Sequence, residues 1–402
     1  MSNTQKKNVP ELRFPGFEGE WEEKQFADFT KINQGLQIAI NERKTEYSPE
    51  LYFYITNEFL RPNSQTKYFI ENPPQSVIAN KEDILMTRTG NTGKVVTNVF
   101  GAFHNNFFKI KFDKNLYDRL FLVEVLNSSK IQNKILSLAG SSTIPDLNHS
   151  DFYSISSSYP LLREQQKIGK FFSKLDRQIE LEEQKLELLK QQKKGYMQKI
   201  FSQELRFKDE NGNDYPEWEK KKLQQIIEVK DGTHESPKPT DNGYLLVTSK
   251  NLKNNKLDFS ESYSISKEDY ESINKRSKVE KGDILFGMIG TIGNPILLED
   301  EGFAIKNVAL LKTSCLQEKY YILNFLKSIA IAKQFYKTNA GGTQKFITLG
   351  AIRDLKIDLP SLEESTKIGI LFNKLDELIK NQSIKIVLLR RRKKALLKSM
   401  FI

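Results

Sequence analysis

Cysteine is almost absent. Cys315 is the only one in 402 residues, so an intrachain disulfide is impossible and a thiolate-rich metal site cannot form within one chain. Its expected role is that of a buried structural thiol. The three histidines, His104, His149 and His234, are too scattered to suggest a metal centre, and no Ser/His/Asp arrangement stands out. No catalytic or metal site is therefore assigned. No apolar run approaches the roughly 20 residues of a membrane-crossing helix, and the opening residues lack the apolar stretch of a secretion signal. The expected location is the cytoplasm.

The balance of 28% charged and 38% apolar residues is that of a folded protein, and the length suits two domains. The net charge of +11 favours an anionic partner such as nucleic acid. Its distribution tempers that inference. Residues 161–205 and 361–402 together hold 20 Lys/Arg against 11 Asp/Glu, which accounts for +9 of the +11. The remaining parts are nearly neutral, so any DNA contact there depends on local placement of charge.

An internal repeat spaces matching residues about 200 apart. KEDIL at 81–85 returns as KGDIL at 281–285, and each is followed by a glycine-flanked turn, Gly90 to Gly93 and Gly290 to Gly293. PLLREQQKIGKFFSKLD at 160–176 returns as PSLEESTKIGILFNKLD at 360–376. ELRF at 11–14 and at 204–207 leads in each case to a tryptophan, Trp21 and Trp218, the only two in the chain. Each tryptophan suits a packing anchor or a stacking contact with a base. Residues 31–80 and 230–280 show little likeness although their flanks agree, as expected of two units that recognise different things.

After Pro160 the apolar positions step by four and three through Ile168, Phe172, Leu175, Ile179, Leu186, Leu189, Tyr196 and Ile200. The second copy repeats this as Ile368, Phe372, Leu375, Ile379, Ile386, Leu389, Leu396 and Met400. This is a heptad seam, and its polar interruptions recur as Glu182 with Gln382 and Lys193 with Lys393. Each seam needs a partner, and the other is the obvious one. Helices of this length span roughly 55 to 60 Å and could separate two heads by one to two turns of DNA. Connectivity makes the pair antiparallel and brings the end of the chain near the first ELRF. The basic run Arg390 to Lys394 fits a solvated helix face, a DNA-backbone contact or a contact with an acidic partner.

The expected fold class is α+β: two mixed α/β globular units separated by a pair of long antiparallel coiled-coil helices, in a pseudo-two-fold internal repeat. The expected boundaries are 1–160, 161–205, 206–360 and 361–402. Strands are predicted at 51–56, 84–87, 94–100 and 107–112, with a helix over 116–139. In the second unit, strands are predicted at 244–248, 283–287 and 304–313 and a helix over 319–337. Turns rich in side chains that reach base edges and phosphates are the candidate DNA contacts. These are Arg88, Thr89, Asn91, Thr92 and Lys94, then Thr248, Lys250 and Asn251, then Thr291, and finally Thr343, Gln344 and Lys345. Ordinary polar hairpins explain each turn equally well.

Two motifs are refused. RTGNTGKV at 88–95 has the lysine of a phosphate-binding loop but neither its first glycine nor its magnesium-holding hydroxyl. NPPQ at 72–75 lacks the aromatic residue with which adenine methyltransferases stack a flipped base.

The order of head, long helix, head, long helix, with PLLREQQKI at 160–168 and AGGTQKFI at 340–347, resembles the specificity subunits of type I restriction-modification systems. The likeness covers nearly the whole chain. It departs at residues 141–145, SSTIP, and at 363–367, EESTK. The resemblance implies two target-recognition domains that read the unlike halves of an asymmetric bipartite DNA site, with the helical pair setting the gap. It implies two modification subunits bringing S-adenosylmethionine, and restriction subunits bringing ATP- and Mg2+-dependent translocation and cleavage. The chain itself would hold no cofactor and catalyse nothing. A catalytic methyltransferase and a coiled-coil scaffold with protein-binding heads stay open as alternatives.

Overall fold

The computed structural model describes residues 8–61, 64–140, 143–253, 255–290, 292–312, 318–338 and 346–401. Thr291, Cys315, Thr343, Gln344 and Lys345 lie outside the described residues. The chain divides into two compact units, Met1–Glu183 with Ile384–Ile402, and Gln184–Ser383. Each long helix, Leu162–Phe201 and Leu362–Met400, is continuous and contributes one half to each unit. No described helix is long and apolar enough to cross a membrane.

In the first unit an antiparallel sheet runs in the order Thr30–Gln34, Phe107–Phe112, Ile84–Thr87, Val95–Val96. A second sheet runs Tyr68–Ile70, Tyr52–Ile55, Gly101–Phe103, Ile78–Ala79, and its two central strands are parallel. In the second unit the same order recurs as Glu228–Asp231, Val308–Lys312, Ile284–Gly287, Gly293–Leu297. Its second sheet keeps the parallel pair, Tyr244–Val247 with Ala304–Ile305, and an antiparallel neighbour, here Tyr263–Ile265, with no counterpart of Ile78–Ala79 among the described residues. The units part company in the stretch where the sequences differ: the second inserts the helix Lys267–Ser277, while the first has the short helical turn Gln75–Val77 and the strand Ile78–Ala79.

Several expected elements are shorter than the periodicity suggested. The helix over 116–139 is two helices, Arg119–Asn127 and Ser129–Leu138. Ser128 breaks it by taking extended backbone (ψ 146°) and accepting from the Ile131 amide, an N-cap in the middle of an apolar run. Lys319 to Lys337 is likewise divided, into Glu318–Leu326 and Ile329–Thr338. The strand over 304–313 is interrupted at Asn307, whose φ of +54° is a left-handed conformation that asparagine tolerates. Only Val95–Val96 of 94–100 is paired as a strand.

Both long helices carry the heptad positions of the expected seam. Every one of its positions is buried or half-buried, including the polar ones. In the first unit Asp176 meets Lys393 at 2.7 Å, Glu182 meets Lys385 and Glu183 meets Arg390, so numbers rise on one helix as they fall on the other. In the second unit Lys193 meets Asp376 at 2.6 Å and Phe201 stacks on Phe372, again antiparallel. The recurring lysine interruptions are therefore partners of the aspartates in the repeated Lys-Leu-Asp.

A second duplicated ion pair fixes the start of each long helix. Glu164 and Glu364 are almost wholly buried in the first helical turn, where the helix dipole favours a carboxylate. Arg13 and Arg206, from the two ELRF segments, each reach these carboxylates at 2.7 Å through the terminal nitrogen and also bond them through Nε. Trp218 adds a third bond to Glu364, at 2.8 Å, whereas the indole nitrogen of Trp21 has no partner. Both tryptophans are packing anchors in the cores.

The junctions of head and helices differ in charge. Lys393 also contacts Glu124, at 3.1 Å, and burial, with a further push from Asp176, raises the Glu124 carboxyl to about 7 against the pull of Lys393. The second unit has Asn324 at the corresponding place and Lys327 where the first has Asn127. Burial, helped by the charge of Lys193, lowers the Lys327 amine to about 8.

Two predictions follow from these contacts. Arg206→Met leaves the buried Glu364 charge uncompensated and should cost about 3 to 5 kcal/mol in chemical denaturation, while Lys220→Met, at an exposed pair, should leave the midpoint unchanged. Because the Glu124 carboxyl lies above its ordinary value when folded, the folded state holds the extra proton, and stability is lost as pH rises from about 4.5 through about 7. Melting temperatures of wild type and Glu124→Gln between those values should diverge, with the wild type falling more steeply.

Candidate nucleic-acid interface

In the first unit five backbone segments converge at one end of the paired sheets. Leu36 donates to Phe103, His104 to Ile55, Arg88 to Asn106 and Leu147 to Arg88, while the Asn57 side chain donates to the Thr89 carbonyl at 2.9 Å. The second unit builds the same cluster. There Thr233 donates to Ile305, Lys306 to Val247 and Ile347 to Met288, and the Ser249 hydroxyl donates to the Asn307 carbonyl at 3.1 Å.

A glycine makes the closest of these approaches possible in each unit. A Cβ on Gly35 would stand 2.2 Å from the Phe103 carbonyl oxygen, and one on Gly232 would stand 2.2 Å from that of Ile305. Only a residue without a side chain lets the strand leave the sheet there.

The described residues among the candidate contacts fall within these clusters but do unequal work. Arg88 pairs with Asp146 at 2.6 Å and lies over the Phe108 ring. Thr89 bonds the same aspartate, and buried Thr92 donates to the Pro145 carbonyl at 2.7 Å. These three pin the hairpin to the neighbouring loop, and Asn91 and Lys94 are the ones left exposed. Asn251 is wholly buried, donating to Asp258 and Ser262 and accepting from the Thr248 amide, which makes it an internal strut. Thr248 caps that turn, and Lys250 is exposed. An isolated bridge joins Phe346 to Ile289, next to Gly290.

The structure adds residues that sequence reading did not select. Gln37, two positions after Gly35, accepts from the Asn105 side-chain amide at 2.9 Å. His234, two positions after Gly232, meets the Asn307 side-chain oxygen through Nδ1 at 2.9 Å and Asp231 through Nε2 at 3.0 Å. Arg276, from the inserted helix, steadies this turn by pairing with Asp231 at 2.9 Å and donating to the Gly232 carbonyl at 2.7 Å. In the first unit Arg43 has a comparable part, donating to the Ile38 carbonyl at 2.8 Å while its guanidinium lies 5.3 Å from the centres of the Tyr54 and Tyr68 rings. The nearby His104 is a neutral strut: burial lowers it to about 4, with Arg43 adding to the effect, and its Nδ1 accepts from the Asn106 amide. No cluster of potential metal ligands occurs among the described residues.

The basic run 390–394 is partly spent on the helix pair, since Arg390 pairs with Glu183 and Lys393 with Asp176 and Glu124.

Comparison with known proteins agrees with this duplicated architecture. The type I restriction modification DNA specificity domain matches twice, over residues 18–191 and 215–388. The type I restriction enzyme MjaVIII specificity subunit of Methanocaldococcus jannaschii is 26% identical, with 93% of this chain and 89% of that protein covered. In fold, the S subunit of a type I restriction-modification system from M. genitalium superposes with a TM-score of 0.64 at 16% identity, covering 98% of this chain and 99% of that one. A chain from a structure of type I R-M complex assembly and conformational transition gives 0.53 at 15% identity, covering 96% and 97%. The protein belongs to the type I restriction-modification DNA specificity family and is a DNA-recognition subunit.

Exposed Lys94 suits a phosphate contact. Lys94→Ala should weaken DNA binding by a similar factor on every sequence and reduce the slope of log K against log salt by about 1, measured by anisotropy across a salt series.

Proposed function

We propose that this chain reads an asymmetric bipartite DNA site, one half with each unit, and directs methylation and restriction by partner subunits without catalysing either. The observation that carries this reading is the duplicated frame with unlike loop clusters. The same four-stranded sheet, ion pairs and glycine crossings are kept in both units, while residues 31–80 and 230–280 diverge around Gln37 in one and His234 in the other. A conserved frame holding two different surfaces suits two different half-sites, with the long helices setting the gap between them.

The partners are two modification subunits, which supply S-adenosylmethionine, and restriction subunits, which use ATP and Mg2+. The complex acts on double-stranded DNA in the cytoplasm. Contact with these partners falls to the exposed faces of the long helices and to the heads.

Methylated adenines mapped in a host carrying this gene with its modification subunit, against the same host lacking only this gene, test the reading. A new motif of two short unlike halves around a fixed gap is expected. If no new motif appears while the modification subunit works with another specificity subunit, the proposal fails and a protein-binding scaffold becomes the better account.

A further inference from the structure

We propose that the side-chain pairs Gln37 with Asn105 and His234 with Asn307 are the corresponding specificity-determining contacts of the two units, and that the first pair reads a guanine in the major groove through the Gln37 amide. This rests on the DNA-reading function proposed above and names residues that carry it.

The two pairs occupy one structural position. In each unit the asparagine lies two residues beyond the parallel strand, at Gly101–Phe103 and Ala304–Ile305, and its backbone amide donates to the residue just after the crossing glycine, Asn105 to Leu36 and Asn307 to Thr233. In each unit its side chain then bonds the next residue along, at 2.9 Å. The asparagine is common to both units, and the residue it faces is not. An anchored amide facing a variable neighbour, at the mouth of a loop cluster, is where two copies of one frame can differ in what they read.

The chemistry of the first pair is specific. Gln37 is exposed, and with its oxygen engaged by Asn105 its own amide N–H groups remain as donors. The Asn105 side-chain oxygen is buried out of reach, so the exposed Gln37 amide is the group of this pair that a base can meet. A guanine presents, side by side in the major groove, the acceptors O6 and N7. Both can accept from the Gln37 amide. Adenine offers a donor beside N7, while thymine offers an acceptor and a methyl group.

In the second unit the imidazole of His234 lies between the Asn307 side-chain oxygen and the Asp231 carboxylate, one at each ring nitrogen. The same position there presents a different set of groups, in keeping with an unlike half-site.

The test is the methylation motif directed by the full chain with its modification subunit, for wild type, Gln37→Ala, Gln37→Glu and His234→Ala. Gln37→Ala should lower the preference for guanine at one position of one half-site by about tenfold and leave the other half unchanged. Gln37→Glu, which keeps the size but offers only acceptors, should move that position towards cytosine, whose N4 amine is a donor. His234→Ala should alter only the opposite half. The wild-type motif directed by both Gln37 variants would overturn the inference while leaving the DNA-reading function intact. So would the loss of all methylation by folded, partner-bound Gln37→Ala, because a single base contact relaxes specificity and does not abolish binding. Absence of any motif with the wild type would instead sink the function itself.

Discussion

A carboxylate buried at the start of each long helix governs much of the architecture. Glu164 and Glu364 cannot remain ionised away from water without a fixed counter-charge. Arg13 and Arg206 supply it from segments about 150 residues earlier in the chain, with contacts bidentate in geometry. Each arginine also donates to backbone carbonyls of the loop that leads to the tryptophan, Gly19 in one unit and Tyr215 with Pro216 in the other. The loop, the edge strand after it and the root of the helix are thereby held in one geometry. In both units that strand pairs antiparallel with the strand immediately before the helix, Glu22–Gln25 with Ser156–Tyr159 and Glu219–Lys222 with Lys356–Leu359.

Duplication explains what the copies share, and their differences follow the physics of each position. The lysine and aspartate that join the helices are identical in both units because a half-buried charge tolerates little change once its partner is fixed. The neighbours of that pair carry the difference. Glu124 adds a negative group to one junction and Lys327 a positive group to the other, and burial moves both towards neutrality.

Much of the frame was legible in the sequence because it rests on spacing. The heptad steps identified both long helices, and the repeat identified ELRF, although the partner of its arginine was not apparent from a glutamate in the middle of REQ or EES. The capping serine at 128 was hidden inside an otherwise helical pattern, since an N-cap overrides periodicity with a single side-chain bond. The interface was the least legible part. Gln37 and His234 are 197 positions apart, whereas Asn105 and Asn307 are 202 apart, so a search at a fixed interval of 200 aligns neither pair. Arg88, Thr89 and Asn251 have the composition of nucleic-acid contacts, yet their hydrogen bonds are spent inside the loops.

The division of each long helix between the units bears on how the protein is made. Residues Gln184–Ser383 form one uninterrupted stretch, so the second unit has all its parts as soon as they have left the ribosome. The first unit begins earlier but needs Ile384–Ile402, including Phe401, which packs against Trp21, Phe121 and Phe172. At about 5 to 20 residues per second, its apolar face waits through the synthesis of the whole second unit for the last turns of helix that cover it. The part of the molecule translated first is the last to be completed, and the order of assembly runs opposite to the order of the gene.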